Sequence, residues 1–128
     1  MNPPRHVRMF KPQFAPLVES GVKCQTVRPT PKRMPKPGDL VSLRTWTGKP
    51  YRSKQRILRE SVISEVKQCT VRASSVLVDG IEQPPEAFAT ADGFASFYEM
   101  ADWFFQEHGL PFDGVVIKWN NDCDKQIL

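Results

Sequence analysis

The chain has 128 residues, 40% of them hydrophobic and 25% charged, with a net charge of +4; that is the size of one domain with enough apolar material to build a core without metal or disulfide staples. Cys24, Cys69 and Cys123 are widely spaced, form no C-x-x-C pair and have only His6 and His108 to accompany them, which argues against a structural zinc and for reduced thiols in a cytoplasmic protein. The first residues lack the apolar centre of a signal peptide and no apolar run reaches membrane-spanning length, so a single domain over 1–128 is expected, with its core at about 10–119 and no membrane, metal or cofactor.

In chain order, Phe14, Leu17, Val18 and Gly21 stand at helical spacing, and Gly21 reads as the left-handed cap of a short helix. The run Cys24 to Arg28 then reads as a strand closed by Pro29, with Thr26 and Arg28 on one face. Lys23 sits at the bend between the two, so its amine can come back beside the Thr26 hydroxyl. Taken singly, each residue has an ordinary role: Lys23 as a solvated lysine complementing a helix C-terminus, Thr26 as a β-former, Arg28 as a surface charge. The combination of amine, hydroxyl and guanidinium within Gly21–Arg28 suits a segment that grips an anion and does chemistry on it.

Pro29 to Asp39 has four prolines among Lys32, Arg33 and Lys36 and is expected to be a basic loop. Leu40 to Trp46 alternates as a strand with Val41 and Leu43 inward, and Thr47 to Gln55 is a second basic loop holding Lys49, Tyr51, Arg52 and Lys54. The two loops are expected to flank one mouth. Ile57 to Val71 fits helical spacing in part, but its β-branched residues favour a strand. Val76 to Ile81 reads as a hairpin about Asp79-Gly80, and so many short strands point to a small barrel. Phe88-Ala89 is a short helical piece, and Asp92 is expected to N-cap a helix from Gly93 to His108. Phe94, Phe97, Ala101, Phe104 and Phe105 would form its buried stripe, with Trp103 at the edge and Glu99, Asp102 and Glu107 outside. Val115 to Trp119 is a last strand, followed by a polar tail expected to be loose.

Charge is unevenly spread. Residues 1–60 carry 14 Lys and Arg against 3 Asp and Glu, a balance of +11, and the remainder carries 4 against 11, a balance of −7. In the basic half the charges interleave with Trp46 and Tyr51, a combination suited to single-stranded RNA or a nucleotide through phosphate attraction and base stacking. The alternative is a dipolar surface whose halves offset each other after folding.

The set Gly21-x-Lys23-x-x-Thr26-x-Arg28, Lys36-Pro37-Gly38-Asp39, Asp92-Gly93-Phe94, Gly109-Leu110-Pro111-Phe112 and Val116-Ile117-Lys118-Trp119 resembles the activating signal cointegrator homology (ASCH) family, small bacterial and phage members above all, from about Phe10 to Trp119. The resemblance implies an α+β fold, a small PUA-like β-barrel with flanking helices and a cleft lined by the G-x-K-x-x-T-x-R segment. It also implies that the cleft binds RNA or a nucleotide. Some family members hydrolyse the acetyl group from N4-acetylcytidine with a lysine, a threonine and a glutamate. By position these are Lys23, Thr26 and, with a carboxylate one methylene shorter, Asp92. Ribonuclease activity is a further alternative carried by the family. The partners expected are single-stranded RNA, a nucleotide or a modified nucleoside, bound by Gly21, Arg28, Trp46, Lys49, Tyr51, Arg52 and Lys54. A protein-interaction module using its acidic helix face is the reading from a different class.

Overall fold

The structure, a computed structural model that describes residues 2–119, runs β1 (Arg5–Met9), α1 (Ala15–Ser20), β2 (Gln25–Arg28), β3 (Leu40–Trp46), β4 (Gln55–Val71), β5 (Val76–Val78), β6 (Ile81–Glu82), α2 (Pro85–Ala91), α3 (Phe97–His108) and β7 (Phe112–Trp119). It is an α+β arrangement built on a mixed sheet of seven strands. The tail from Asn120 to Leu128, expected to be loose, lies outside the described residues.

β4 organises the sheet. Its first half pairs antiparallel with β3, from Gln55 to Val62, and its second half with β7, from Ile63 to Val71. Register shifts at Leu43/Arg44 and Ile63/Glu65 are the irregularities that let so long a strand bend between two partners. The expected Asp79-Gly80 turn is present, with φ of 50° and 77° joining β5 to β6. β1 has little strand signal in the sequence, since Arg5-His6-Val7-Arg8-Met9 offers one β-branched residue. It forms because its backbone meets β3 in parallel register from Arg5 opposite Leu40 to Met9 opposite Arg44. A buried pair, His6 Nε2 to Asp39 Oδ2 at 2.8 Å, ties it to the turn before β3. The His6 contact holds the Asp39 carboxyl below its usual range, and the same oxygen accepts from the Lys36 amide.

β2 pairs with β7, and β1 with β3, but β1 and β2 do not pair with each other. The sheet is therefore not closed, and its backbone pairing does not complete the expected barrel. In the gap between these edges the Arg28 side chain takes the place of a ladder, donating from Nη2 to the Met9 carbonyl at 2.7 Å.

Two apolar clusters fill the interior. One packs α2 and α3, through Phe88, Phe97, Met100, Ala101 and Phe104, on Val71, Val76 and Val116 of the sheet. The other packs Phe10, Phe14 and Val18 on Val41, Leu43, Ile63 and Trp119. Phe94 and Trp103 touch both.

The largest correction concerns the long helix. Asp92 is not its N-cap: it caps the C-terminus of α2, with its amide donating to the Phe88 carbonyl. Gly93 follows at φ 92°, and α3 starts only at Phe97, N-capped by the Ser96 hydroxyl accepting from the Glu99 amide. The positive φ at Gly93 breaks the helical path where periodicity alone ran through it. Starting α3 at Phe97 brings Met100 into the buried stripe, while Phe94 lies before the helix and Phe105 is turned outward. Phe104→Ala should therefore cost about 3–5 kcal/mol of stability, and Phe105→Ala less than about 0.5 kcal/mol, because Phe104 is 1% exposed and Phe105 58%. Urea unfolding of both variants beside wild type checks this, and comparable losses would mean that the helix face is misassigned.

Candidate functional site

The expected α1 cap is present: Gly21 takes φ 88° and donates to the Val18 carbonyl. The turn it makes sends Lys23 inward. The Lys23 amide donates to Leu17 O and the Cys24 amide to Ala91 O, both at 2.9 Å, so the chain between α1 and β2 is pinned to the ends of two helices. Gly93 completes the fit, since a Cβ there would stand 3.0 Å from Lys23 Cδ.

Lys23 is 3% exposed, which sets aside the solvated-lysine alternative. Its ammonium donates to the Asp92 carbonyl and lies 3.6 Å from Asp92 Oδ1. It stands over the rings of Phe14 and Phe10, at 5.0 and 5.7 Å from their centroids. The cation thus complements the C-terminal end of α2 rather than that of α1. Asp92, 2% exposed, also accepts from Gln25 Nε2 at 3.4 Å. Burial pushes the Lys23 amine below its ordinary range, and Arg28 pushes the same way while Asp92 holds it back. Burial pushes the Asp92 carboxyl upward, opposed mainly by Lys23. Each partner is thereby brought closer to its neutral form than in water.

Thr26 and Arg28 leave the same face of β2. Arg28 Nε donates to Thr26 Oγ1 at 2.9 Å, and its Cζ lies 4.8 Å from the centre of the Phe10 ring. Burial first, and then the neighbouring Arg8, lower the Arg28 guanidinium to about 10, so it stays charged at neutral pH. The expected Lys23–Thr26 contact is replaced by two others, Lys23 to Asp92 and Arg28 to Thr26. All four side chains nevertheless line one cavity of about 260 Å³, walled by Phe10, Phe14, Phe94 and Trp103. Across its lining, Lys11 pairs with Glu107 of α3.

The remaining expected residues lie elsewhere. Trp46, Lys49, Tyr51, Arg52 and Lys54 do not line the cavity; they form the tip between β3 and β4, so only Pro29 of the first basic loop reaches the cavity and the two loops do not share its mouth. At that tip Tyr51 is 89% exposed with φ 64°, its ring 5.1 Å from that of Trp46. Sequence reasoning missed Gln25, whose β-strand position gave no hint that its amide would meet Asp92, and the aromatic wall, which helical periodicity read as plain core. Among the described residues no group of three or more His, Cys, Asp and Glu could hold a metal ion, and no helix is long and apolar enough to cross a membrane.

The buried pair has a pH signature. Lys23→Met leaves the Asp92 carboxylate without its cation, at a cost of about 3–5 kcal/mol at pH 8. The Asp92 carboxyl, already above 3.8 by burial, rises further when Lys23 is lost. A carboxyl whose folded pKa exceeds its unfolded value binds its proton more tightly in the native state. Acidification through that interval therefore favours the native state. The deficit of Lys23→Met relative to wild type should shrink between pH 8 and pH 5 in urea unfolding. An equal deficit at both would remove Asp92 as its cause.

No family model, curated protein or solved structure matches the chain.

Proposed function

We propose that the protein is an ASCH-type, PUA-like domain that handles RNA or a nucleotide and seats a single nucleobase in the cavity. One observation carries this reading: Lys23, Thr26, Arg28 and Asp92, from β2, the turn before it and the end of α2, converge on one space walled by four aromatic rings. At about 260 Å³ the space lies near the lower end of ligand pockets, which run from about 300 Å³ upward, and suits one ring system rather than a folded oligonucleotide. Aromatic walls favour a planar π-system, and the buried carboxyl, amine and guanidinium supply orienting hydrogen bonds.

The same convergence favours hydrolysis of an N-acylated exocyclic amine, with N4-acetylcytidine as the type substrate. Burial and Arg28 lower the Lys23 amine toward the neutral form that a general base requires. In the reaction, Lys23 turns from the Asp92 carbonyl to take the Thr26 proton as Oγ attacks the acyl carbon. The tetrahedral oxyanion collapses, and the exocyclic amine leaves with the proton returned by Lys23. Water then releases acetate from the threonine ester. Arg28 Nε, 2.9 Å from Thr26 Oγ1, steadies the oxygen as it loses its proton. Ribonuclease chemistry has less support, because His108 is the one histidine on the cavity lining.

Release of cytidine from N4-acetylcytidine by purified protein tests the catalytic reading. Wild type should turn over, while Thr26→Val and Lys23→Arg should each lose at least about 100-fold in kcat, since valine has no nucleophile and arginine stays protonated. Absence of turnover by wild type would sink hydrolysis and leave the nucleobase cavity to be judged by cytidine binding.

The exposed Tyr51 ring, packed beside the half-buried Trp46 among Lys49, Arg52 and Lys54, favours RNA contact at the β3–β4 tip as well. Binding of labelled single-stranded RNA should weaken with salt. Replacing Lys49, Arg52 and Lys54 by alanine should flatten the log–log salt slope by about 2, at about 0.7 for each phosphate no longer neutralised. A slope unchanged by the triple replacement would take the tip out of the interface.

A further inference from the structure

Three cations line the cavity, and two of them are already neutralised: Lys23 by Asp92, and Lys11 by Glu107. Arg28 forms no ion pair with a carboxylate among the described residues. Its Nε and Nη2 are spent on Thr26 and Met9, both neutral oxygens, which leaves Nη1 without a hydrogen-bond partner among the described residues. Its strongest charged neighbour is another cation, Arg8. Arg8 stands one residue before Met9, the residue whose carbonyl Arg28 grips, and alternates onto the same side of β1 as the buried His6. Among the described residues its one hydrogen bond runs to the carbonyl of Val7 in its own strand, and no carboxylate pairs with it. Carbonyls two residues apart in a strand point the same way, so the guanidiniums that grip Val7 O and Met9 O lie along one edge of β1, the Arg28 one beside a base-sized cavity. Like charges so placed repel unless an anion comes between them, and two planar donor forks match the oxygens of a phosphate.

We propose that Arg8 and Arg28 form a seat for a phosphate attached to the nucleoside whose base enters the cavity, so that a nucleotide is held more tightly than the free nucleoside. This rests on the nucleobase reading of the cavity and adds a residue, Arg8, that stands outside its lining. The phosphate can belong to a free 5′-monophosphate or to a diester within an RNA strand, since the seat recognises the oxygens common to both.

Calorimetric titration of the full chain with inorganic phosphate, cytidine, cytidine 5′-monophosphate and a dinucleotide with a diester on the 5′ side of cytidine tests the seat. Wild type should bind the monophosphate at least about tenfold more tightly than cytidine, as expected for charge-assisted bonds to one phosphate. Arg8→Gln should bring that ratio close to one, and Arg8→Lys should restore it in part; a thermal melt verifies that the variants are folded. A dinucleotide that gains as much as the monophosphate assigns the seat to an RNA diester, and one that gains nothing assigns it to a free monoester. Equal affinity of wild type for cytidine and its monophosphate overturns the seat and leaves the nucleobase reading standing, a result that needs no variant to fold. Should neither bind, inorganic phosphate decides: binding that Arg8→Gln removes upholds the seat and sinks the nucleobase reading, and no phosphate binding overturns both.

Discussion

Keeping the Lys23 ammonium and the Asp92 carboxylate out of water, 3.6 Å apart, is the constraint around which the rest of the molecule is arranged. A buried charge without a partner costs several kcal/mol, so neither residue can take its place unless the other is already there. Their backbones have to be brought together from positions 69 residues apart. The turn at Gly21, the bond from the Cys24 amide to Ala91 and the break at Gly93 each serve that meeting. The pair adds little stability over an apolar one of similar shape. Its retention at the floor of a cavity fits a chemical task better than a structural one.

The cavity lies where the two apolar clusters meet. Phe10 and Phe14 belong to one, Phe104 to the other, and Phe94 and Trp103 to the boundary between them. Its aromatic walls are the exposed flanks of a packed core, held by edge-to-face contacts such as Phe14 to Trp103 at 5.8 Å. A ligand therefore meets a preformed surface and loses little free energy in ordering it.

The open edge between β1 and β2 has a matching logic. Had these strands paired, Arg28 would have had no gap to cross and Met9 no free carbonyl to offer it. Leaving the sheet unclosed there places the Arg28 guanidinium beside the cavity, while the β3–β4 tip carries Lys49, Arg52 and Lys54 away from it. Bonds between charges in a partly buried gap are screened less by salt than those at an exposed tip. The two basic regions thus differ in kind, one partly buried beside the cavity and the other exposed at a tip.

Much of this was legible in the residues. Local rules sufficed for the Gly21 cap, the β2 strand with Thr26 and Arg28 on one face, the inward Val41 and Leu43 and the Asp79-Gly80 turn, because each depends on steric preference, alternation or a motif a few residues long; that Asp92 would join Lys23, Thr26 and Arg28 was implied by the family resemblance alone, and the four line one cavity. β1 was not legible, because a parallel edge strand is decided by its partner β3 and not by its own composition. The start of α3 was misplaced because Phe94 keeps helical spacing with Phe97 and Ala101 directly after Gly93, whose positive φ and close approach to Lys23 only the tertiary structure reveals. By itself the sequence determined the Gly21 turn that brings Lys23 in, and the face of β2 that Thr26 and Arg28 share. Only the tertiary structure decided that Lys23 bonds Asp92 and not Thr26, that Gln25 joins them and that Arg28 reaches across to the Met9 carbonyl, next in sequence to Arg8. Such pairings follow from burial and from charge across long sequence distances, which no local pattern encodes.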